Sequence, residues 1–281
     1  MKIFSDIKSI RTDLEKFKDK KIGFIPTMGA LHQGHLSLIH LAKKHCDIVV
    51  VSIFVNQKQF NNPQDYELYP STLENDIKLL QDTKVDMLFN PQAAEIYNQN
   101  FSTKIIISGL TENLCGKSRV GHFEAVALIV SKLFNIIKPN FAFFGEKDFQ
   151  QLQVIRRLVA DLNIDTQIIS GATTREIDGL AMSSRNLRLS AAGRKIAGQI
   201  YQHLYLAKEQ IIANENLDFV LSKTAQNLLA IGAEKIDYLQ VCDEENLQPI
   251  SSFNSQIKSR LFIAIYVDKI RLIDNISLDQ I

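Results

Sequence analysis

Short runs of β-branched and other apolar residues alternate with amphipathic segments up to about Gly171. Ile22 to Ile25 is followed by Leu36 to His45, with apolar residues at helical spacing, and then by Asp47 to Val55, a nearly continuous apolar run. This succession predicts a β-α-β unit whose second strand is buried on both faces, because a strand covered on one side alternates apolar with polar. Ser71 and Glu74 stand at the spacing of a capping box and predict the start of another helix. A strand at Met87 to Phe89, a helix from Glu124 to Ile137, a strand at Phe141 to Phe144, a helix over Phe149 to Leu162 and a strand at Thr166 to Ile169 continue the alternation.

That order predicts an α/β fold: a Rossmann-like, open, mostly parallel sheet covered by helices. Beyond Gly171 the pattern changes. Ser190 to Ile212 and Phe219 to Ile231 read as helices, and Lys235 to Val241, Leu261 to Val267 and Ile270 to Ile273 read as strands. The last two strands are too close together for a crossover connection, so an antiparallel hairpin is expected there. The chain is therefore divided into residues 1–173, a Rossmann-like nucleotide- and substrate-binding domain, and residues 174–281, a smaller α+β domain.

Composition narrows the function classes. Across 281 residues, Lys+Arg 32 against Asp+Glu 31 leaves a net charge of +1, which advertises neither nucleic acid nor an anionic membrane as partner. A small-molecule substrate fits better. Cys46, Cys115 and Cys242 are too scattered for a zinc site or a disulfide framework and read as reduced thiols of a cytoplasmic protein. The start MKIFSDIKSI lacks the apolar core of a signal peptide, and no run approaches the roughly 20 apolar residues of a membrane span.

The candidate chemistry clusters where strands end. PTMGALHQGH, Pro26 to His35, follows directly on the first strand. Gly29 and Gly34 allow a tight turn and a close approach to a ligand, and the helix start near Gly34 offers N–H groups and the positive end of a dipole to a phosphate. His32 and His35 are placed to donate to phosphate oxygens and to stabilise charge during attack at phosphorus. Helix capping and metal ligation are alternative uses of the same pair. GEKDFQQ, Gly145 to Gln151, follows another strand: Lys147 suits a phosphate, while Gln150 and Gln151 suit a hydroxylated substrate. FVNQKQF, Phe54 to Phe60, ends a third strand with the neutral amides Asn56, Gln57 and Gln59. DGLAMSSRNLRLS, Asp178 to Ser190, falls at the expected domain junction and reads as a phosphate-gripping loop.

Taken together, these residues carry a resemblance. PTMGALHQGH resembles the HIGH-type and MSSRN the KMSKS-type motif of the adenylyl-transferring superfamily that includes class I aminoacyl-tRNA synthetases. With FVNQKQF, YPST (Tyr69 to Thr72), GHFEAV (Gly121 to Val126), VSKLFNIIKP (Val130 to Pro139) and GEKDFQQ in order, the chain is similar over essentially its whole length to the pantothenate synthetase (pantoate–β-alanine ligase) family. The resemblance implies a cytoplasmic, homodimeric ligase of the coenzyme A pathway. Pantoate would attack the α-phosphate of ATP to give pantoyl adenylate and pyrophosphate, and β-alanine would then displace AMP to give pantothenate. No nucleic acid or membrane partner is implied.

By position, Met28, Gly29, Ala30, Leu31, His32, Gln33, Gly34 and His35 would line ATP, with His35 as proton donor and His32 beside it on the phosphates. Gly145, Glu146, Lys147 and Asp148 would contact the nucleotide, Lys147 as the main cation. Thr174, Met182, Ser183, Ser184 and Arg185 would complete the ATP contacts. Gln59 would bind pantoate and help place β-alanine, and Gln151 would bind pantoate. Mg²⁺ is implied as the companion of ATP, but the run Glu74, Asn75, Asp76 has fewer acids than the family usually shows, which leaves the protein ligand unassigned. The chain also departs from the family at Gln57, Ser71 and Ala125, none of which is assigned to chemistry. The competing reading is a nucleotidyltransferase for a small phosphorylated acceptor. Such an acceptor calls for extra Arg or Lys where Asn56, Gln59 and Gln151 are neutral.

Overall fold

The computed structural model describes residues 1–279. The chain divides into two compact units, one of residues 1–107, 119–146 and 151–172, the other of residues 108–118, 147–150 and the described residues from 173 onward. The second unit thus takes in two short segments from the earlier part of the chain.

In the first unit six strands, β1 (Lys2–Phe4), β2 (Ile22–Thr27), β3 (Ile48–Ile53), β4 (Met87–Phe89), β5 (Phe141–Gly145) and β6 (Gln167–Gly171), form an entirely parallel sheet in the order β1-β4-β3-β2-β5-β6. Val49 and Val51 of β3 are essentially inaccessible, and so are Val50 and Leu88, as expected for strands covered on both faces. Ile25, Ile39, Val51, Leu80, Leu88 and Phe143 belong to one core cluster, which ties the sheet to the helices Gln33–His45 and Leu73–Asp82. Chain order runs outward from β2 through β3 and β4 on one side, then resumes with β5 and β6 on the other. The carboxyl ends of β2 and β5 therefore flank the point where strand order reverses, the place where open α/β sheets bind ligands.

The second unit contains an antiparallel sheet, β7 (Lys235–Asp243), β8 (Ser259–Val267) and β9 (Ile270–Ser277), in that order. The expected hairpin is present between β8 and β9. Its turn residues Asp268 and Lys269 have φ of 52° and 62°, the two left-handed positions that match the twist of a two-residue hairpin. Leu204, Ile211, Val220 and Leu228 of two helices share a buried cluster with Val241, Leu261, Ile263 and Ile265 of the sheet.

Three local readings need correction or addition. The expected helix over Ser190 to Ile212 is two helices, Ala191–Ala197 and Ile200–Ile212. At the break stands Gly198, where a Cβ would meet the end of the Asp178 side chain. Ser71 and Glu74 form no capping box: Thr72 is the N-cap of Leu73–Asp82, and its hydroxyl bonds Asp76 rather than the helix backbone. The N-terminal β1 and the helix Ile7–Leu14, capped by Asp6, carry too short an apolar pattern to have been predicted. No helix among the described residues is long and apolar enough to cross a membrane. Cys46, Cys115 and Cys242 are all free thiols.

Candidate active site

The chain leaves β2 at Thr27 and turns sharply through two consecutive left-handed residues, Gly29 at φ 82° and Ala30 at φ 49°. An L-residue such as Ala30 is strained in that region and needs its surroundings to hold it. Asp76, 2% exposed, supplies the hold. Its carboxylate accepts from the backbone N–H of Ala30 at 2.9 Å and of Leu31 at 2.8 Å, and from the Thr72 hydroxyl at 3.2 Å. Thr27 braces the other side, donating to Ser52 O at 2.7 Å and accepting from Gly29 N–H at 3.2 Å.

The turn delivers the chain to the helix Gln33–His45 with His32 as its N-cap. His32 Nδ1 accepts from Gly34 N–H at 3.1 Å, and His32 N–H donates to His35 Nδ1 at 3.3 Å. The two imidazoles lie 4.1 Å apart between centroids. A ring nitrogen that accepts carries no proton, so both neutral rings have their proton on Nε2. Capping occupies only the Nδ1 atoms of the pair. The inner nitrogens order the first turn of a helix whose terminus itself favours anions.

A second polar group in this unit surrounds Gln59, in the short 3-10 turn Gln57–Gln59 after β3. Gln59 Nε2 reaches Met28 Sδ at 3.1 Å, and Gln59 Oε1 accepts from Asn56 Nδ2 at 3.2 Å. Its backbone carbonyl accepts from Arg119 Nη2 at 3.1 Å and from His122 Nδ1 at 2.8 Å. The structure thus brings Gln59 and Met28 into contact. Gly145 ends β5 and Glu146 opens the 3-10 turn Glu146–Asp148, accepting from Ser170 at 2.9 Å, and Gln151 is half-buried near the start of the helix Phe149–Asp161. Gln150 is not available to a substrate. Its amide donates to Leu110 O and Asn113 O, both at 2.8 Å, and accepts from Cys115 N–H at 2.9 Å, all inside the second unit.

Within the second unit, Lys147 has its carbonyl held by Asn275 Nδ2 at 2.9 Å and its ammonium 3.7 Å from the Asp148 carboxylate. The segment 174–188 is a folded loop. Met182 N–H donates to Thr174 O at 3.0 Å and Glu176 N–H to Leu180 O at 2.9 Å, after which Ser183 caps the 3-10 turn Ser184–Arg188 by accepting from Arg185 N–H at 3.2 Å. Asn186 Nδ2 closes the loop onto Glu176 Oε1 at 3.0 Å and Ala181 O at 3.1 Å.

Sequence reasoning missed Asp76 as the clamp of the phosphate-type loop and Tyr97, whose hydroxyl donates to Asn56 Oδ1 at 3.0 Å. Asp76 was visible only as one acid in a depleted run. Tyr97 sits in no strand-end motif. Among the described residues no group of three or more His, Cys, Asp or Glu could hold a metal.

The family model described as pantoate-beta-alanine ligase matches residues 2–277. A pantothenate synthetase from Acinetobacter baylyi is 51% identical over 92% of this chain and 90% of its own length. The one from Thermotoga neapolitana is 46% identical over 98% and 99%. The crystal structure of pantothenate synthetase from Thermus thermophilus superposes with a TM-score of 0.93 at 38% identity, covering 100% of both chains. The pantoate-beta-alanine ligase of Francisella tularensis, solved with beta-gamma ATP and beta-alanine, gives 0.85 at 40% identity over 99% and 98%.

Proposed function

As a member of the pantoate-beta-alanine ligase family the chain joins pantoate to β-alanine, and we propose that it does so in two steps on the residues described above. In the first, a carboxylate oxygen of pantoate attacks the α-phosphorus of ATP and pyrophosphate leaves, giving pantoyl adenylate. In the second, the amine of β-alanine attacks the acyl carbon, AMP leaves and the amine's proton is released. Pantothenate is the product.

The observation that carries this reading is the histidine pair at the end of β2. Two Nε2–H donors beside a helix N-terminus suit the charge that grows on the phosphates as pyrophosphate departs, and fixed donors of this kind need no reorganisation during the step. Lys147 adds a positive charge to the phosphates. Met28 to His35, Gly145 to Asp148, Thr174 and Met182 to Arg185 form the ATP contacts in this proposal. Gln59 and Gln151 take pantoate, and Gln59 also places β-alanine; neutral amides match hydroxyl and carboxylate oxygens without demanding a phosphate on the acceptor. Asp76 is occupied by the loop backbone and is left out of metal binding. Mg²⁺ enters as the companion of ATP, held by substrate phosphates and water. A cytoplasmic location and a homodimeric state belong to the same proposal and rest on the resemblance.

The test is pyrophosphate exchange into ATP by the purified chain with Mg²⁺. The proposal expects exchange that requires pantoate and ignores amino acids, tRNA and phosphorylated acceptors. Exchange without pantoate, or only with a phosphorylated acceptor, overturns it.

A further inference from the structure

The amide of Gln59 has a single allowed orientation, and what fixes it lies well outside the strand-end motif. Asn56 is 1% exposed, and one end of its amide faces Ala125 O at 3.3 Å. A carbonyl only accepts, so that end is Nδ2, and Oδ1 must face the Tyr97 hydroxyl, which therefore donates at 3.0 Å. The second proton of Nδ2 goes to Gln59 at 3.2 Å, so the Gln59 atom there is Oε1. Nε2 is then turned toward Met28 Sδ, a weak acceptor that a substrate oxygen can replace. Every link has one polarity, starting from a carbonyl that cannot reverse.

We infer that Tyr97 is a positioning residue that, through Asn56, holds the Gln59 amide with its N–H groups toward the substrate; this rests on the pantoate role proposed for Gln59. Burial pushes the Tyr97 phenol up to about 12, so its O–H remains a donor throughout the working range. The ring is held independently of the hydroxyl. Phe101 packs against it edge-on at 5.1 Å between centroids, Phe54 lies at 6.3 Å, and the Lys58 and Lys132 ammonium groups stand 5.1 and 5.9 Å from its centre. Replacing Tyr97 by Phe removes the hydroxyl and leaves that packing. Asn56 keeps Nδ2 on Ala125 O, but its Oδ1 is left buried without its donor, and the hold on the Gln59 amide is loosened.

The experiment compares Tyr97→Phe, Gln59→Ala and the double variant by steady-state kinetics of the full chain with ATP, pantoate and β-alanine. Tyr97→Phe is expected to raise the pantoate KM about tenfold, the effect of one buried hydrogen bond, with the ATP KM unchanged. In the Gln59→Ala background the same substitution should add nothing, because the group it orients is gone. A second variant, Asn56→Asp, puts an acceptor where Nδ2 stood and should raise the pantoate KM further. An unchanged pantoate KM in Tyr97→Phe alongside a raised one in Gln59→Ala overturns the inference, as does an equal effect of Tyr97→Phe with and without Gln59. An unchanged pantoate KM in Gln59→Ala overturns the pantoate role of Gln59 itself, and the inference with it.

Discussion

The phosphate-type loop Met28 to His35 and the MSSRN loop carry similar polar residues, yet they are held in different ways. The first is fixed from a distance: Asp76 reaches back 46 positions in sequence to Ala30 and 45 to Leu31, and restrains a turn containing a strained left-handed Ala30. The second is bonded within itself and also tied outward, by Arg175 to Asp274 at 2.6 and 3.0 Å and by Arg194 to Glu176 and Asp178. Its internal bonds run between Thr174 and Met182, Glu176 and Leu180, and from Asn186 to Glu176 and Ala181. A loop held by a remote buried carboxylate can be strained into a reactive shape, while a loop with its own internal clasp loses only part of its hold when that clasp is cut. Damage to the remote clamp should spread to the chemistry, and damage to the local one should stay local.

The largest effect tests whether the strained loop is the reactive one. His35→Ala should lower pantoate-dependent pyrophosphate exchange by about 10²–10³, and should spare more of the second half-reaction when synthetic pantoyl adenylate and β-alanine are supplied. Equal losses in both halves would place the histidine outside phosphate chemistry. Next is the clamp. Asp76→Ala strands two buried N–H groups and should cost roughly 1–3 kcal/mol in denaturant unfolding, with a matching fall in exchange rate. If folding weakens while exchange is untouched, the remote clamp is structural only and the contrast between the loops fails.

Asn186→Ala cuts the local clasp of the other loop. We expect a loss of about 1 kcal/mol, a raised ATP KM and an unchanged pantoate KM; a shifted pantoate KM would show that this damage does not stay local. The smallest effect belongs to Asp178, whose carboxylate is hydrogen-bonded by Arg194, which lowers its pKa below the ordinary 3.8. A lowered carboxylate stabilises the fold above the ordinary carboxylate range, and that contribution is lost as pH falls through the lowered value. The pair is partly exposed, so Asp178→Asn should cost less than about 1 kcal/mol at neutral pH and nothing in strong acid. A cost that persists in strong acid would remove the ion pair from the explanation.

The strand and helix order was legible because buried parallel strands are continuous apolar runs and the intervening helices keep a regular period. The histidine pair was legible because it follows a strand that the pattern locates. What stayed hidden was polar pairing across long sequence distances. Asp76 and Asn75 look alike in the sequence, but only one falls on the buried face of its helix, 2% exposed, with two backbone N–H groups in reach. Gln150 and Gln151 are neighbours with the same side chain. Successive helix positions point in different directions, and Gln150 is taken by the backbone of residues 110–115.

In the proposed reaction the histidine pair does two jobs with different nitrogens, and His32→Asn separates them. Asparagine is among the best N-cap residues, so its side-chain oxygen should accept from Gly34 N–H and keep the helix start, while no Nε2–H remains at the imidazole's position. Pantoate-dependent pyrophosphate exchange and melting temperature are measured on the same preparation. The expected result is a melting temperature close to that of the parent and exchange reduced about 10²-fold or more. Exchange at the parental rate in a protein with the parental melting temperature would contradict it.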